Sequence, residues 1–212
     1  MTGGCSAVRA SFLFVYYAFF WLVLFEPSLG ASRAATGVTA ESTDPREAYW
    51  FGSLILACRR GDVSATQKIL DATPTMSLNQ RPVLWNETPL HAAASRGNAT
   101  LVSLLLSRGA DPNVPGALDT LPLMSAATAG NAMAVELLLQ AGARVNALSG
   151  RYSVSALERT ARYGNVAVVR VLLAAGATVN TQEPSGATPL NLARRHGHHE
   201  VVRLLIAAGA RD

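Results

Sequence analysis

Short apolar runs recur along the chain from about residue 100 onward, and each has a polar residue at its second position. Within a run the apolar positions fall at i, i+2, i+3 and i+4, which fits the inward face of a helix. Four runs share this spacing, at residues 102–106, 135–139, 169–173 and 202–206. The pattern predicts four helices of similar length that bury equivalent faces.

Glycines mark a fixed period around these runs. A Gly-Ala pair follows each run, and the pairs begin at Gly109, Gly142, Gly176 and Gly209, spaced 33, 34 and 33 residues apart. A second set of glycines lies twelve residues upstream of each pair, at Gly97, Gly130, Gly164 and Gly197. A period in this range indicates a repeat solenoid, in which each unit packs on the next. The glycine after each run is expected to end its helix, because it adopts a left-handed backbone cheaply.

A second, alanine-rich helix is predicted before each upstream glycine. In two units it opens on Thr-Pro, at Thr88-Pro89 and Thr188-Pro189. Threonine is a favoured N-cap and proline suits the first helical position, so these pairs predict helix starts. Each unit therefore contains a helix, a turn and a second helix, followed by a turn-rich connection.

The unit that begins at Thr88 reads T-P-L-H-x-A-A, then a glycine, then V-x-L-L-L and G-A-D-P-N. This unit resembles the ankyrin repeat, a helix-turn-helix followed by a β-hairpin-like loop. The unit from Thr188 matches nearly as well, whereas the units at Leu121 and Ser155 keep the spacing and lose the Thr, the Pro or the His. The resemblance implies an all-α ankyrin solenoid that binds partners through its loop tips and concave face.

A fifth, degenerate unit is predicted upstream, with Gly61 in the place of the inter-helix glycine. Its run at residues 66–70 is polar at two stacking positions, as a terminal cap facing water requires. The expected repeat domain spans 47–212. Its predicted units are about 47–85, 86–118, 119–152, 153–185 and 186–212.

The N-terminal segment differs from the repeats. Residues 10–25 are apolar and uncharged, Arg9 precedes them and small residues follow. This layout predicts that residues 1–30 form a secretory signal peptide, with an uncleaved membrane anchor as the alternative. Residues 31–46 are predicted to be a flexible linker, and either reading places the repeats outside the cytoplasm.

Composition adds compartment and stability arguments. The formal net charge is +4, and Lys68 is the only lysine among 18 basic residues. Beyond Cys5 in the leader, Cys58 is the single cysteine, so stacking rather than an internal disulfide must stabilise the domain. The arginine bias and the leader-plus-repeats layout resemble small exported bacterial ankyrin proteins, which makes the periplasm the expected compartment. The sequons at Asn86 and Asn98 matter only in a eukaryotic secretory route.

Little in the sequence indicates a catalytic site or a metal site. The His196-Gly197-His198-His199 cluster invites a metal site, but histidine is common after that glycine in ankyrin repeats, and H-E-x-x-H fails because Arg203 ends the stretch. The sequence has neither a phosphate-binding loop nor a nucleophile elbow. We therefore expect no metal, no cofactor and no enzyme. The resemblance implies that His91 bonds to Thr88 or to nearby backbone.

A partner-binding surface is predicted where the first helices end, because the residues before the inter-helix glycine lie near the concave side of ankyrin stacks. Many are basic or aromatic, and arginine and tyrosine are favoured interface residues. The predicted contact residues are Arg60, Arg96, Arg162, Tyr163, Arg195 and His196, with Trp85, Asp119, Arg151, Tyr152 and Gln182 at loop tips. The alternative is that these cations only complement helix dipoles.

These features predict an exported, non-catalytic protein-binding module with a protein partner of acidic character and no nucleic acid. The alternative function is a membrane-tethered accessory subunit that docks on a neighbour through its last unit. Exposure of Leu204, Leu205 or Ile206 would favour that alternative.

Overall fold

The computed structural model describes residues 45–82, 85–150, 153–182 and 186–211. The described part is a succession of ten α-helices arranged as five helix pairs, with one 3₁₀ turn at Ala117–Asp119 and no strand. We number the helices in chain order: α1 Pro45–Arg60, α2 Val63–Ala72, α3 Pro89–Ser95, α4 Ala99–Ser107, α5 Pro122–Ala129, α6 Ala132–Gln140, α7 Ala156–Tyr163, α8 Val166–Ala174, α9 Pro189–Arg195 and α10 His199–Ala207. The predicted all-α repeat fold is confirmed.

The predicted helix starts are present. Thr88 caps α3 and Thr188 caps α9, each through a side-chain oxygen that accepts a backbone N–H, and proline follows both. Ser155 and Glu158 form a reciprocal capping box at the start of α7, which replaces the missing proline. The unit at Ser155 therefore keeps its first helix because other side chains satisfy the first amide groups, whereas α5 has no side-chain cap and keeps Pro122 at its start.

The helix pairs form two layers. Helices α1, α3, α5, α7 and α9 pack side by side as the first-helix layer, while α2, α4, α6, α8 and α10 form the second-helix layer. A continuous apolar core lies between the layers, and the innermost position of each apolar run is fully buried at Leu105, Leu138, Leu172 and Leu205. Alanines such as Ala93 and Ala126 are also fully buried, so their small side chains allow neighbouring first helices to approach closely.

The connections between units are extended loops rather than regular hairpins. In the described part the pairing is limited to one isolated antiparallel bridge between Ser149 and Val154. The loops are joined instead by an asparagine ladder, which consists of Asn79, Asn113, Asn146 and Asn180. The side-chain nitrogen of each asparagine donates to the backbone carbonyl of the glycine in the next unit's Gly-Ala pair. Its side-chain oxygen accepts the backbone N–H of the residue two positions after that glycine.

We expect Asn113→Ala to lower the free energy of unfolding by about 2 kcal/mol, because two inter-unit hydrogen bonds are lost. These bonds run from Asn113 Nδ2 to the Gly142 carbonyl and from the Arg144 N–H to Asn113 Oδ1, both at 3.0 Å. Urea unfolding followed by circular dichroism measures the change. Asn191→Ala is the control, since the exposed Asn191 side chain makes no hydrogen bond within the described residues. Equal stability of the two variants would contradict the role of the ladder.

The two ends of the described stack differ from the sequence expectation. Helix α1 begins at Pro45, two residues before the predicted start of the repeats. The expectation that polar residues in the run 66–70 face water holds for the exposed Lys68 and is wrong for Thr66, which is fully buried. The Thr66 hydroxyl donates to the Asp62 carbonyl at 2.7 Å, which satisfies it inside the stack.

The last helix pair is open on one side. Leu205 is buried and Leu204 half-buried, whereas Ile206 is 51% exposed. At the equivalent position the earlier units have Leu139 and Leu173, both of which are half-buried against the core. Among the described units, Ile206 is the only residue at this position that is exposed.

Candidate functional site

The carboxyl ends of the first helices carry exposed cations along one edge of the first-helix layer. Arg60 and Arg195 are the last residues of α1 and α9, Arg96 is the C-cap of α3, and Arg162 lies in the last turn of α7. All four are exposed. We call these four residues the cationic row. Because neighbouring first helices pack together, the row runs along the stack and is interrupted at α5, which ends without a charge.

Five other cations of the described residues are paired with carboxylates, namely Arg59, Arg81, Arg108, Arg170 and Arg203. Second-helix arginines form such bridges, as Arg170 does to Glu200 at 2.9 Å and Arg108 does to Asp71 at 2.8 Å. Within the described residues, Arg60, Arg96 and Arg195 make neither an ion pair nor a hydrogen bond through their side chains. Arg60, Arg96 and Arg195 thus hold positive charge that the described residues do not neutralise.

Carboxylates are excluded from this face by the sequence of the first helices. Helices α3, α5, α7 and α9 contain a single acidic residue, Glu158, and it is fully buried. The exposed charges on these four helices are therefore all positive, and a face of one charge sign attracts an oppositely charged partner.

Two other predicted contact residues accompany the row. Tyr163, the last residue of α7, is 54% exposed, and its ring offers apolar area beside the Arg162 charge. His196 is exposed at the end of α9 and stacks on His198, with ring centroids 6.2 Å apart. His198 in turn donates from Nε2 to the Arg162 carbonyl at 3.0 Å, so the histidine pair ties the end of α7 to α10.

The predicted loop-tip residues do not form one surface. Gln182 is exposed, and Asp119 is exposed but is bridged by Arg81 at 3.2 Å. The same Arg81 guanidinium donates to Asn86 of its own loop at 2.7 Å, so Arg81 joins this loop to the next one through Asp119. Arg151 and Tyr152 lie outside the described residues.

The position of Trp85 differs from the predicted loop tip, because its side chain is half-buried against the core and does not project freely. A Cβ at Gly52 of α1 would lie 3.1 Å from Trp85 Nε1, so the indole fills the space that this glycine leaves. The guanidinium of Arg59 sits 5.6 Å above the ring centroid. Trp85 therefore anchors its own loop to α1.

A buried polar network beneath the first-helix layer was missed by the sequence reasoning. The ring of His91 contacts Glu87 through Nδ1 at 2.8 Å and Ser125 through Nε2 at 2.9 Å. Arg59 donates from Nε to the other Glu87 oxygen at 2.8 Å. The network links the first three units. The expected bond between His91 and Thr88 is present through the backbone N–H of His91, whereas the ring bonds to Glu87 and Ser125.

The order Glu87–His91–Ser125 matches that of a hydrolase triad, but the environment does not. Ser125 is 8% exposed, His91 6% and Glu87 4%, so a substrate has no access to the hydroxyl. Burial alone would raise the pKa of Glu87, but hydrogen bonds from His91 and Arg59 outweigh it and hold that pKa below its ordinary value. The network is a satisfied structural core group, and no nearby sequence motif announces it.

The remaining reactive candidates are structural as well. Cys58 is buried, and burial raises its thiol pKa to about 12, so thiolate chemistry is suppressed. Among the described residues, no group of three or more His, Cys, Asp or Glu side chains could hold a metal ion. Likewise, no described helix combines the length and apolar character needed to cross a membrane. The predicted leader lies outside the described part.

Comparisons with known proteins fit this geometry. Residues 54–149 and 151–212 match the family model described as ankyrin repeats (3 copies). A human protein, tRNA endonuclease ANKZF1, is 36% identical over 98 residues, which are 42% of this chain and 14% of that protein. The mouse 2-5A-dependent ribonuclease is 43% identical over 61 residues, 29% of this chain and 8% of that protein.

These relatives share only a short part with the chain, since the matches span 14% or less of their lengths. Their names therefore describe those proteins and supply no nuclease site here. The family model covers most of the described residues and coincides with the five stacked helix pairs. This chain belongs to the ankyrin repeat family, a non-catalytic fold that generally mediates protein–protein binding.

Proposed function

We propose that this chain is an exported, non-catalytic binding module that captures a protein partner with an acidic surface on the cationic row. One observation carries the proposal: Arg60, Arg96 and Arg195 of the row have no acidic partner among the described residues, whereas the second-helix arginines are bridged. Arginine suits this role because its planar fork binds carboxylates in a bidentate manner.

The stack supports binding in a second way. The row is mounted on helices whose inner faces are fully buried, so its spacing is fixed before the partner arrives. A preorganised surface avoids part of the entropic cost of association. Tyr163 adds a rigid aromatic contact next to the charges, as interface hot spots commonly do.

Complementing the helix dipoles is the competing role for these cations, and it needs no partner. The two roles separate on charge reversal. We expect Arg96→Glu combined with Arg195→Glu to weaken binding of a fluorescein-labelled fifteen-residue polyglutamate peptide about tenfold or more. Fluorescence anisotropy at low salt gives the dissociation constants, and circular dichroism confirms the helical content.

The matched control reverses the same number of charges away from the row, with Lys68→Glu on α2 and Arg211→Glu after α10. Both side chains are exposed and unpaired within the described residues. Binding that survives in the control and is lost in the row variant supports the proposal. Equal loss in both variants would show a general charge effect and would overturn it.

Export is part of the proposal and is supported by the apolar, uncharged segment 10–25 that follows Arg9. The intact mass of the protein from its native cells tests it. A mass short of the first 30 to 34 residues is expected for the cleaved, exported form. A full-length mass would instead support the tethered accessory subunit, which the exposed Ile206 on the open last unit also favours.

A further inference from the structure

A cleft between two loops lies beside α7 and is not part of the cationic row. It is formed by the loop that ends in the 3₁₀ turn Ala117–Asp119 and by the following loop around Ser149. Its volume is about 430 Å³, which is enough for a large amino-acid side chain. The apolar part of its lining comes from Pro115, Leu121, Ala147 and Leu148.

The lining is mixed, because polar side chains stand beside the apolar ones, namely Asn113, Ser149 and Ser153. Its exposed apolar surface comes mainly from Leu148, which is 55% exposed, since Leu121 is buried and Pro115 is half-buried. An exposed leucine is stabilised when a second apolar side chain covers it.

Two arginines border the cleft. Arg144 lines it directly, and a Cβ at Gly150 would lie 3.6 Å from Arg159 Nη2, which places that guanidinium against the wall. Neither side chain forms an ion pair within the described residues. The one lining carboxylate, Asp119, is already bridged by Arg81. The cleft therefore offers apolar contact next to positive charge that the described residues do not neutralise.

Two residues at the edge of the cleft, Asp119 and Ser153, have an uncommon backbone conformation. Asp119 has φ +55° and Ser153 has φ +47°, both in the left-handed region that non-glycine residues seldom adopt. The Asp119 carbonyl accepts the Gly150 N–H at 3.0 Å, and Gly116 donates to the Thr120 carbonyl at 2.8 Å. Local strain that the surrounding hydrogen bonds maintain is common at binding sites, because it preserves a preformed shape.

We propose that this cleft is a specificity subsite that takes an apolar side chain flanked by carboxylates, from an extended segment of the same acidic partner. This inference rests on the proposed function. Arg159 and Arg162 lie one helical turn apart on α7, so a segment that follows the row reaches the cleft directly. The cationic row attracts any acidic segment, and the cleft selects a segment that places an apolar residue at this point.

The test compares two labelled eight-residue peptides on the full chain. One contains a single leucine among seven glutamates, and the other has serine in place of the leucine. We expect the leucine peptide to bind about tenfold more tightly, since burying most of a leucine side chain gives a ratio of this order. Fluorescence anisotropy measures both affinities.

Three variants locate the preference. Ala147→Trp fills the cleft, so it should remove the leucine preference and leave the serine peptide's affinity unchanged. Arg144→Glu should weaken both peptides, because it reverses a charge beside the cleft. Lys68→Glu is the control on α2 and should retain both affinities.

The outcomes separate the two proposals. Suppose that the unaltered chain shows no leucine preference, but binding is lost when the charges of Arg96 and Arg195 are reversed. The proposal for the cleft is then overturned, and the proposal for the cationic row stands. A preference that persists in Ala147→Trp also overturns the cleft. Binding of both peptides that survives reversal of the row overturns the proposed function itself.

Discussion

Replacing Gly116 with alanine should lower the free energy of unfolding by about 3 kcal/mol, through overpacking and loss of buried hydrogen bonds. Gly116 is buried against the ring of His91, and an added Cβ would lie 2.1 Å from His91 Cγ. The ring is held at both nitrogens by Glu87 and Ser125, so it can move away only by breaking these bonds. Urea unfolding followed by circular dichroism measures the loss.

A double-mutant cycle isolates the cause. In the background of His91→Ala the ring is absent, so Gly116→Ala should then cost less than about 1 kcal/mol. Gly109→Ala serves as a comparison, because a Cβ there meets no atom within 4 Å although φ is +85°. An undiminished cost of Gly116→Ala in the His91→Ala background would show that the ring contact is not responsible.

Removing the carboxylate of the same network is the second large effect. Glu87→Ala should destabilise the fold by about 3 kcal/mol, because the groups that bonded to the removed carboxylate are left without a partner. The Glu87 side chain is 6% exposed, whereas that of Arg59 is 46% exposed and can regain water. His91, at 8%, cannot do so and keeps an unsatisfied nitrogen. Arg59→Ala should therefore cost less than Glu87→Ala.

The pH dependence of stability reports the same carboxylate. The pKa of Glu87 is lower in the folded protein than its ordinary value of 4.5. The stability that its charge contributes is therefore fully present above pH 4.5 and is lost as the pH falls through the lower folded pKa. Glu87→Gln keeps the shape and removes this titration.

Carboxylates titrate between about pH 6 and pH 3. Urea unfolding at a series of pH values in this range measures the difference in stability between the unaltered protein and Glu87→Gln. Unaltered protein should lose stability more steeply than Glu87→Gln below the ordinary glutamate pKa. Glu136→Gln is the matched control on α6, where the carboxylate is exposed and forms no ion pair within the described residues. Parallel curves for the protein and for Glu87→Gln would contradict the ion-pair role of the network.

The sequence predicted the helix stack well because each unit carries its own stop and start signals. Gly130 and Gly164 end their helices in the left-handed conformation, and Thr88 caps its helix as expected. These are local effects, and a single sequence displays them. The exposed cations at the first-helix ends follow from the same register, since a fixed spacing from the inter-helix glycine places them.

The contacts between units could not be predicted in the same way. Ser125 reaches His91 across 34 positions, and Glu87 sits outside the repeat consensus, so neither the buried network nor its charge partner Arg59 could be inferred from periodicity. Trp85 was assigned to a tip because it lies in a long loop, but Gly52 leaves a space that draws the indole inward. Such outcomes depend on side-chain fit between distant residues.

The central claim is that the cationic row is the surface on which the partner docks. Titrating isotope-labelled protein with the fifteen-residue polyglutamate peptide and mapping the amide chemical-shift changes tests it most directly. We predict that the changes cluster at the ends of α1, α3, α7 and α9, and that they disappear when Arg96 and Arg195 are reversed. Changes concentrated on the second-helix layer, around Arg108 and Arg170, would contradict the account.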